Sequence, residues 1–220
     1  MRLGRIGLWV SGHALGEGDE AAAARLAEEL GYGALWLGGS PRLTRLRPFL
    51  EASERLVLAT GIVNVWQYDP AELAAEHAAL RADFPGRVLT GVGIGHPERV
   101  GDYSRPLSAT RGFLDAIDAA PAPIPRDERC LAALGPRMLD LAGERTAGTH
   151  PYFTPVAHTR LARERLGPGA LVAPEVACVV DDGDRAAAAA RRYAAVYLGL
   201  ANYTRNLLRF GYSDGDLAGD

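Results

Sequence analysis

Seven times along this chain a short, unbroken apolar run is followed by a longer amphipathic stretch, and no other feature restricts the fold as much. An apolar run without polar alternation suits a strand buried on both faces, and the amphipathic stretches suit helices with one face to cover. Together they make a parallel sheet coated by helices. The pattern predicts strands over 5–10, 34–37, 56–63, 87–94, 130–134, 148–152 and 171–180. Helices are expected over 19–30 (N-cap Asp19, stop at Gly31), 47–55, 70–84 (N-cap Asp69, Pro70 at the first position), 107–119 and 136–145. One more lies between a Thr154-Pro155 cap and Gly167, and a long last one runs from Asp182 or Asp184 to about Phe210.

Seven βα units in series favour a TIM (β/α)8 barrel over a doubly wound sheet. Such barrels typically need about 250 residues, whereas this chain has 220 and shows no eighth strand. The expectation is one α/β domain over 1–220, a C-terminally shortened (β/α)8 barrel with its first and seventh strands left as edges. The proline-rich link 121–125 is too short to divide it.

A net charge of −3 gives no reason to expect nucleic acid or an anionic membrane as partner. All 24 basic residues are arginine, a bias that fits GC-rich coding and leaves no lysine for a Schiff base or a Walker loop. Cys130 and Cys178 fall in apolar strand patterns and read as buried small hydrophobes. No run approaches the roughly 20 apolar residues of a membrane span, and Arg2 and Arg5 precede only a strand-length apolar run, so a cytoplasmic protein is expected.

In a (β/α)8 barrel the reacting groups sit at the C-terminal ends of the strands. Two ends stand out. The run 56–66 passes through Thr60-Gly61 to Asn64, and the run 87–96 passes through Gly91, Gly93 and Gly95 to His96. Bare backbone at a strand end lets a flat ligand approach closely, so both point to one shared site. The spacing Gly91-Val-Gly-Ile-Gly95 is not the G-x-G-x-x-G of a dinucleotide fold. Gly135-Pro136-Arg137-Met138 opens a helix whose first amides and dipole suit an anion; Pro136 has no N–H, leaving the amides of Gly135, Arg137 and Met138, with the Arg137 guanidinium beside them. His13, His150, Tyr152 and Glu175 lie at or near strand ends, and His150 is the leading candidate for proton donor. His77 and His158 fall within helices and read as surface or packing residues. The stretch 97–106, with Arg99 and Tyr103, is the longest candidate lid.

The blocks Ala34-Leu-Trp-Leu-Gly-Gly39, Ala59-Thr-Gly-Ile-Val-Asn-Val-Trp66, Pro85-Gly-Arg-Val-Leu-Thr-Gly-Val-Gly-Ile-Gly-His96, Leu134-Gly-Pro-Arg-Met-Leu-Asp-Leu-Ala-Gly-Glu144 and Tyr197-Leu-Gly-Leu-Ala-Asn-Tyr203 resemble, in this order, the bacterial luciferase-like monooxygenase superfamily. The likeness is nearest to actinobacterial oxidoreductases thought to use the deazaflavin coenzyme F420. It covers most of the chain and departs at the C-terminus, where relatives continue into a last helix and eighth strand. The resemblance implies a tricyclic cofactor in the barrel mouth against the third strand, Gly38 at the end of the second strand, and a non-prolyl cis peptide at Gly61-Ile62 following Thr60. It also implies ring contacts from Asn64, for which the alternative is a turn residue, and from Trp9, which equally suits plain barrel packing. Gly93 and Gly95 would flank the site, Gly135, Arg137 and Met138 would hold the cofactor phosphate with His96 as second anchor, and a homodimer is implied. The activity implied is hydride transfer between F420 and a small organic substrate. A close alternative is an FMN-dependent monooxygenase. Two further readings stay open: a shortened barrel that binds cofactor without turnover, and a metal-dependent isomerase or hydrolase using His96, His150 and Glu175, for which no H-x-H or H-E-x-x-H spacing speaks.

Overall fold

The computed structural model describes residues 1–16, 18–99 and 103–218. Its sheet is parallel throughout and curls in the order β1 (Gly7–Ser11), β2 (Ala34–Gly38), β3 (Val57–Thr60), β5 (Val88–Gly93), β6 (Arg129–Leu131), β7 (Gly148–Thr149), β8 (Leu171–Val172). The two-residue strand β4 (Val63–Asn64) pairs with β5 beyond the end of β3, so β3 and β4 are one barrel position interrupted at Gly61-Ile62. Helices α1 (Glu20–Glu29), α2 (Arg47–Glu51), α3 (Pro70–Asp83), α4 (Pro106–Asp118), α5 (Pro136–Arg145) and α6 (Val156–Leu166) follow the strands in turn. The fold is a parallel (β/α) barrel opened out: seven strand positions, with β1 and β8 unjoined and a final strand lacking among the described residues.

The alternation of β2 shows how two layers form. Leu35 and Leu37 belong to the outer layer against the helices, with Phe49, Leu58 and Leu73, whereas Ala34 and Trp36 belong to the inner one. The inner layer is thin: Trp36, Val57, Ala59, Leu89 and Cys130, with Trp9 and Leu171 packed on it. A fully buried side chain such as Phe49 contributes roughly 1.5–3 kcal/mol, so the outer layer carries most of the stability. Registers Trp9↔Trp36, Trp36↔Ala59 and Ala59↔Leu89 set inner residues side by side. At Gly91 a Cβ would lie 2.1 Å from the Thr60 carbonyl oxygen, and Thr60 Oγ1 donates to the Gly91 carbonyl at 2.8 Å.

Asp69 caps α3 as expected, its Oδ1 accepting from the amides of Ala71 and Glu72 at 2.9 and 3.0 Å. Other expectations need correction. The strand expected over 148–152 stops at Thr149, because Pro151 has no N–H for the ladder, and its neighbour stops at Val172, leaving only a Tyr152↔Glu175 bridge. Cys178, expected buried, is therefore exposed, while Cys130 is fully buried. The last helix breaks at Gly199-Leu200 into α7 (Gly183–Leu198) and α8 (Ala201–Arg209), followed by α9 (Asp214–Ala218). Asp19 takes the Gly16 amide at 3.0 Å instead of capping α1, and Thr154 Oγ1 is buried without a partner rather than capping α6. The helix expected over 47–55 ends at Glu51, preceded by a 3-10 turn over Leu43–Leu46.

His77 is a buried structural residue. Its Nδ1 meets Thr90 Oγ1 and its Nε2 meets Glu128 Oε2, both at 2.9 Å, and Arg81 Nε donates to Glu128 Oε1 at 2.9 Å. Burial pushes the His77 pKa down, outweighing the pull of Glu128. Burial pushes Glu128 up, but the hydrogen bonds from His77 and Arg81 outweigh it and hold the carboxylate below its usual range. His158 is also buried, its Nε2 donating to the Leu134 carbonyl at 2.9 Å.

Candidate active site at the barrel mouth

At the C-terminal ends of the strands, Gly61-Ile62 is a cis peptide. Trp9, from β1, donates from Nε1 to the Gly61 carbonyl at 3.0 Å and so pins the break between β3 and β4. The glycines around it are fixed by close packing. A Cβ on Gly38 would lie 2.0 Å from the Trp9 ring, and one on Gly61 would meet Trp9 Nε1 at 2.6 Å and His150 Nε2 at 3.1 Å. A Cβ on Gly93 would run into the Ile62 side chain at 2.9 Å, and one on Gly95, at φ +70°, into Asn64 Nδ2 at 2.7 Å. Asn64 caps its own turn, its Oδ1 accepting from the Trp66 amide at 3.1 Å, while its amide donates to Ser40 Oγ at 3.0 Å. Thus Trp9, Gly38, Gly61, Ile62, Asn64, Gly93 and Gly95 form one connected wall.

His150, at the end of β7, faces that wall. Its ring stacks on Trp36 with centroids 4.1 Å apart and planes 19° apart. Its Nδ1 lies 2.7 Å from the Ala173 carbonyl, which can only accept, so Nδ1 carries the proton and Nε2 carries the lone pair. Nε2 is buried without a hydrogen-bond partner, 3.8 Å from Glu175 Oε2. Burial drives the His150 pKa down to about 4 against the weaker pull of the Ala173 carbonyl, and burial alone drives Glu175 up to about 8. Near neutral pH both are uncharged. Sequence reasoning placed each near a strand end and grouped them only as metal ligands with His96, not as a proton-handling pair; the signal was their shared position after neighbouring strands.

His96, the expected second anchor, is held by α8. Its Nδ1 meets Asn202 Oδ1 at 2.8 Å and its ring lies against Tyr203, centroids 4.9 Å apart, so it ties β5 to α8. Tyr203 belongs to an aromatic cluster with Tyr152, Phe153 and Tyr197, and Tyr152 donates to Tyr193 at 2.5 Å. His13 is exposed on the rim near Gly39.

The start of α5 is set by Gly135 and Pro136. The Met138 amide is already bonded to the Gly135 carbonyl at 3.0 Å and its side chain packs on the outer core, which withdraws Met138 from the expected donors. Arg137 is exposed beside this end. Two residues not singled out in the sequence join it from α8. Arg209 Nη2 would lie 4.0 Å from a Cβ on Gly135, and Arg209 Nη1 donates to Asn206 Oδ1 at 2.9 Å. Asn206 is buried with its Nδ2 unpartnered. Their spacing Asn-x-x-Arg on one helical turn was the available signal.

Of the candidate lid, Tyr103 lies near Trp66 with centroids 6.5 Å apart, whereas 100–102 and the Arg99 side chain lie outside the described residues. Among the described residues no group of three His, Cys, Asp or Glu side chains converges as a metal cage; His150 and Glu175 meet, and His96 stands apart with Asn202. A surface cavity of about 430 Å³ lies at the opposite end of the strands, lined by residues such as Arg126, Thr146 and Ala170, and takes in none of these groups. No described helix is long and apolar enough to cross a membrane.

Comparison with known proteins bears on the fold. The family described as luciferase-like monooxygenase matches residues 5–216. Among solved structures, an F420-dependent secondary alcohol dehydrogenase in complex with an F420-acetone adduct superposes with a TM-score of 0.70 at 19% identity, over 86% of this chain and 74% of its own. The coenzyme F420 dependent tetrahydromethanopterin reductase from Methanopyrus kandleri gives 0.70 at 18% identity, over 88% and 72%. The oxygenating constituent of 3,6-diketocamphane monooxygenase from Pseudomonas putida, in complex with FMN, gives 0.58 at 14% identity, over 73% and 61%. At these identities the likeness is one of fold. No curated protein matches the sequence.

Proposed function

The chain belongs to the luciferase-like monooxygenase family, and from that membership and the barrel mouth we propose that it is an oxidoreductase transferring hydride between coenzyme F420 and a small organic substrate. The observation that carries the reading is the convergence, at one end of the barrel, of an aromatic-pinned peptide wall with a cationic helix start. The two F420-dependent neighbours superpose more fully than the FMN-bound one, which supports the deazaflavin over FMN.

The residues fit such a group. A flat ring needs an apolar wall and a few polar contacts at its edge, and Trp9, Gly61, Ile62 and Asn64 would supply these. A phosphate needs free amides and cations, and the Gly135 and Arg137 amides, with Arg137 and Arg209, would supply those. The unpartnered Asn206 Nδ2 is one further donor on the same turn of α8 as Arg209. When bound, the deazaflavin supplies a two-electron hydride couple; this chain's part is to hold the ring, exclude water and manage protons at His150 and Glu175.

Titration of the purified protein with F420 and, separately, with FMN, followed by fluorescence, tests this. Tight binding of F420 with weak binding of FMN is expected. Preference for FMN would favour the monooxygenase reading, which the FMN-bound neighbour supports, and binding of neither by folded protein would refute both. Arg209→Ala is expected to weaken binding about tenfold, or about 1.4 kcal/mol, with the loss shrinking as salt rises. The homodimer belongs to the same proposal, and light scattering on the eluted protein decides it.

A further inference from the structure

Hydride delivery to a polar double bond leaves one atom short of a proton, and the mouth holds two buried groups able to handle one. His150 was the expected donor, but its only proton is committed to the Ala173 carbonyl at 2.7 Å, and Nε2 offers a lone pair. Glu175 faces that lone pair from the neighbouring strand end at 3.8 Å, and it forms no ion pair with an arginine among the described residues. From α7, Tyr193 is the titratable group facing Glu175; its own pKa is raised to about 12 chiefly by burial, so it stays neutral. A neutral carboxyl O–H and a nitrogen lone pair 3.8 Å apart are too far for a hydrogen bond to each other. One oxygen atom about 2.8 Å from each would close the gap.

Resting on the oxidoreductase reading above, we propose that Glu175 is the acid of this site and His150 its positioning residue, the two together seating the oxygen of a carbonyl substrate or its alcohol product. In the reducing direction the carbonyl carbon gains hydride from a donor of the reduced deazaflavin or flavin class, which is oxidised by two electrons. The C=O π pair takes the Glu175 proton, so the carboxyl O–H bond breaks and the substrate O–H bond forms. Glu175 is left as carboxylate and regains a proton from solvent. The new hydroxyl donates to His150 Nε2, the group already stripped of any other partner.

Infrared difference spectroscopy of the unloaded protein tests the acid directly. A protonated-carboxyl C=O stretch is expected at neutral pH, fading as pH rises through about 8 and absent in Glu175→Gln. The wild-type titration stands without the variant, should the variant misfold. Adding acetone as a carbonyl probe is expected to lower both the probe's and the carboxyl's stretch at neutral pH, with the effect gone at high pH. A residue-175 carboxylate already ionised at pH 7, or a probe shift with no pH dependence, overturns the proposal. The band and probe shift in protein that binds neither F420 nor FMN would support the acid assignment and refute the cofactor reading, so the two fail separately.

Discussion

Replacing Glu175 with Gln removes one proton from the folding equilibrium, and the consequence is computable. In the folded chain burial moves this carboxyl from 4.5 to about 8. Its contribution to stability is fully present below 4.5 and is lost as pH rises toward 8, because the unfolded chain has released a proton the folded chain still holds. Histidines act with the opposite sign. His150, lowered by burial from 6.5 to about 4, and His77 and His158, lowered by the same cause, withdraw stability as pH falls below 6.5. The thiol of Cys130, pushed up by burial from 9, matters only above the window. Between 6.5 and 8 the unfolded chain's histidines are still releasing protons, so the part of the slope that belongs to Glu175 is the difference between wild type and Glu175→Gln. One proton is worth at most about 1.4 kcal/mol per pH unit, so wild type should lose about 1.5 kcal/mol relative to Glu175→Gln across that interval, or about 1 if the carboxyl relaxes toward water. Urea unfolding followed by far-ultraviolet circular dichroism at several pH values in the window gives the curve. Wild type should decline relative to Glu175→Gln; parallel curves would refute the assignment of that difference to this residue.

Gly38→Ala places a methyl 2.0 Å from the Trp9 ring; it should cost about 1–3 kcal/mol and change the tryptophan emission as the bond to the Gly61 carbonyl is lost. His77→Ala strands Thr90 Oγ1 and leaves Glu128 with Arg81 alone; it should cost about 2–4 kcal/mol in urea unfolding, with a loss under 1 kcal/mol contradicting a buried network. A thiol reagent should titrate one cysteine, Cys178, in native protein and both in denaturant; rapid modification of two native thiols would mean the inner layer is open.

The barrel was legible in the chain because strands buried on two faces cannot alternate and because Asp69-Pro70 and Gly31 mark helix ends by chemistry of their own. What was not legible depended on neighbours. The strand over 171–180 looked continuous by composition, yet its ladder ends where β7 ends, and β7 ends at a proline in a different segment. The glycines of β5 suggested an open platform; in space their missing side chains make room for Thr60, Ile62 and Asn64. His150 was found by position, but its proton's whereabouts depend on the Ala173 carbonyl, and Arg209 reaches α5 only through the break between α7 and α8.

The chain has three tryptophans, and all three stand at the mouth: Trp9 bonded to Gly61, Trp36 stacked on His150, and Trp66 donating to the Ile94 carbonyl at 2.9 Å. Ultraviolet emission from this molecule is consequently a local signal. A protonated imidazole stacked on an indole quenches it, so emission falling at low pH while circular dichroism holds would time the charging of His150 separately from unfolding. The same light, read during a ligand titration, reports occupancy of the mouth with no label attached.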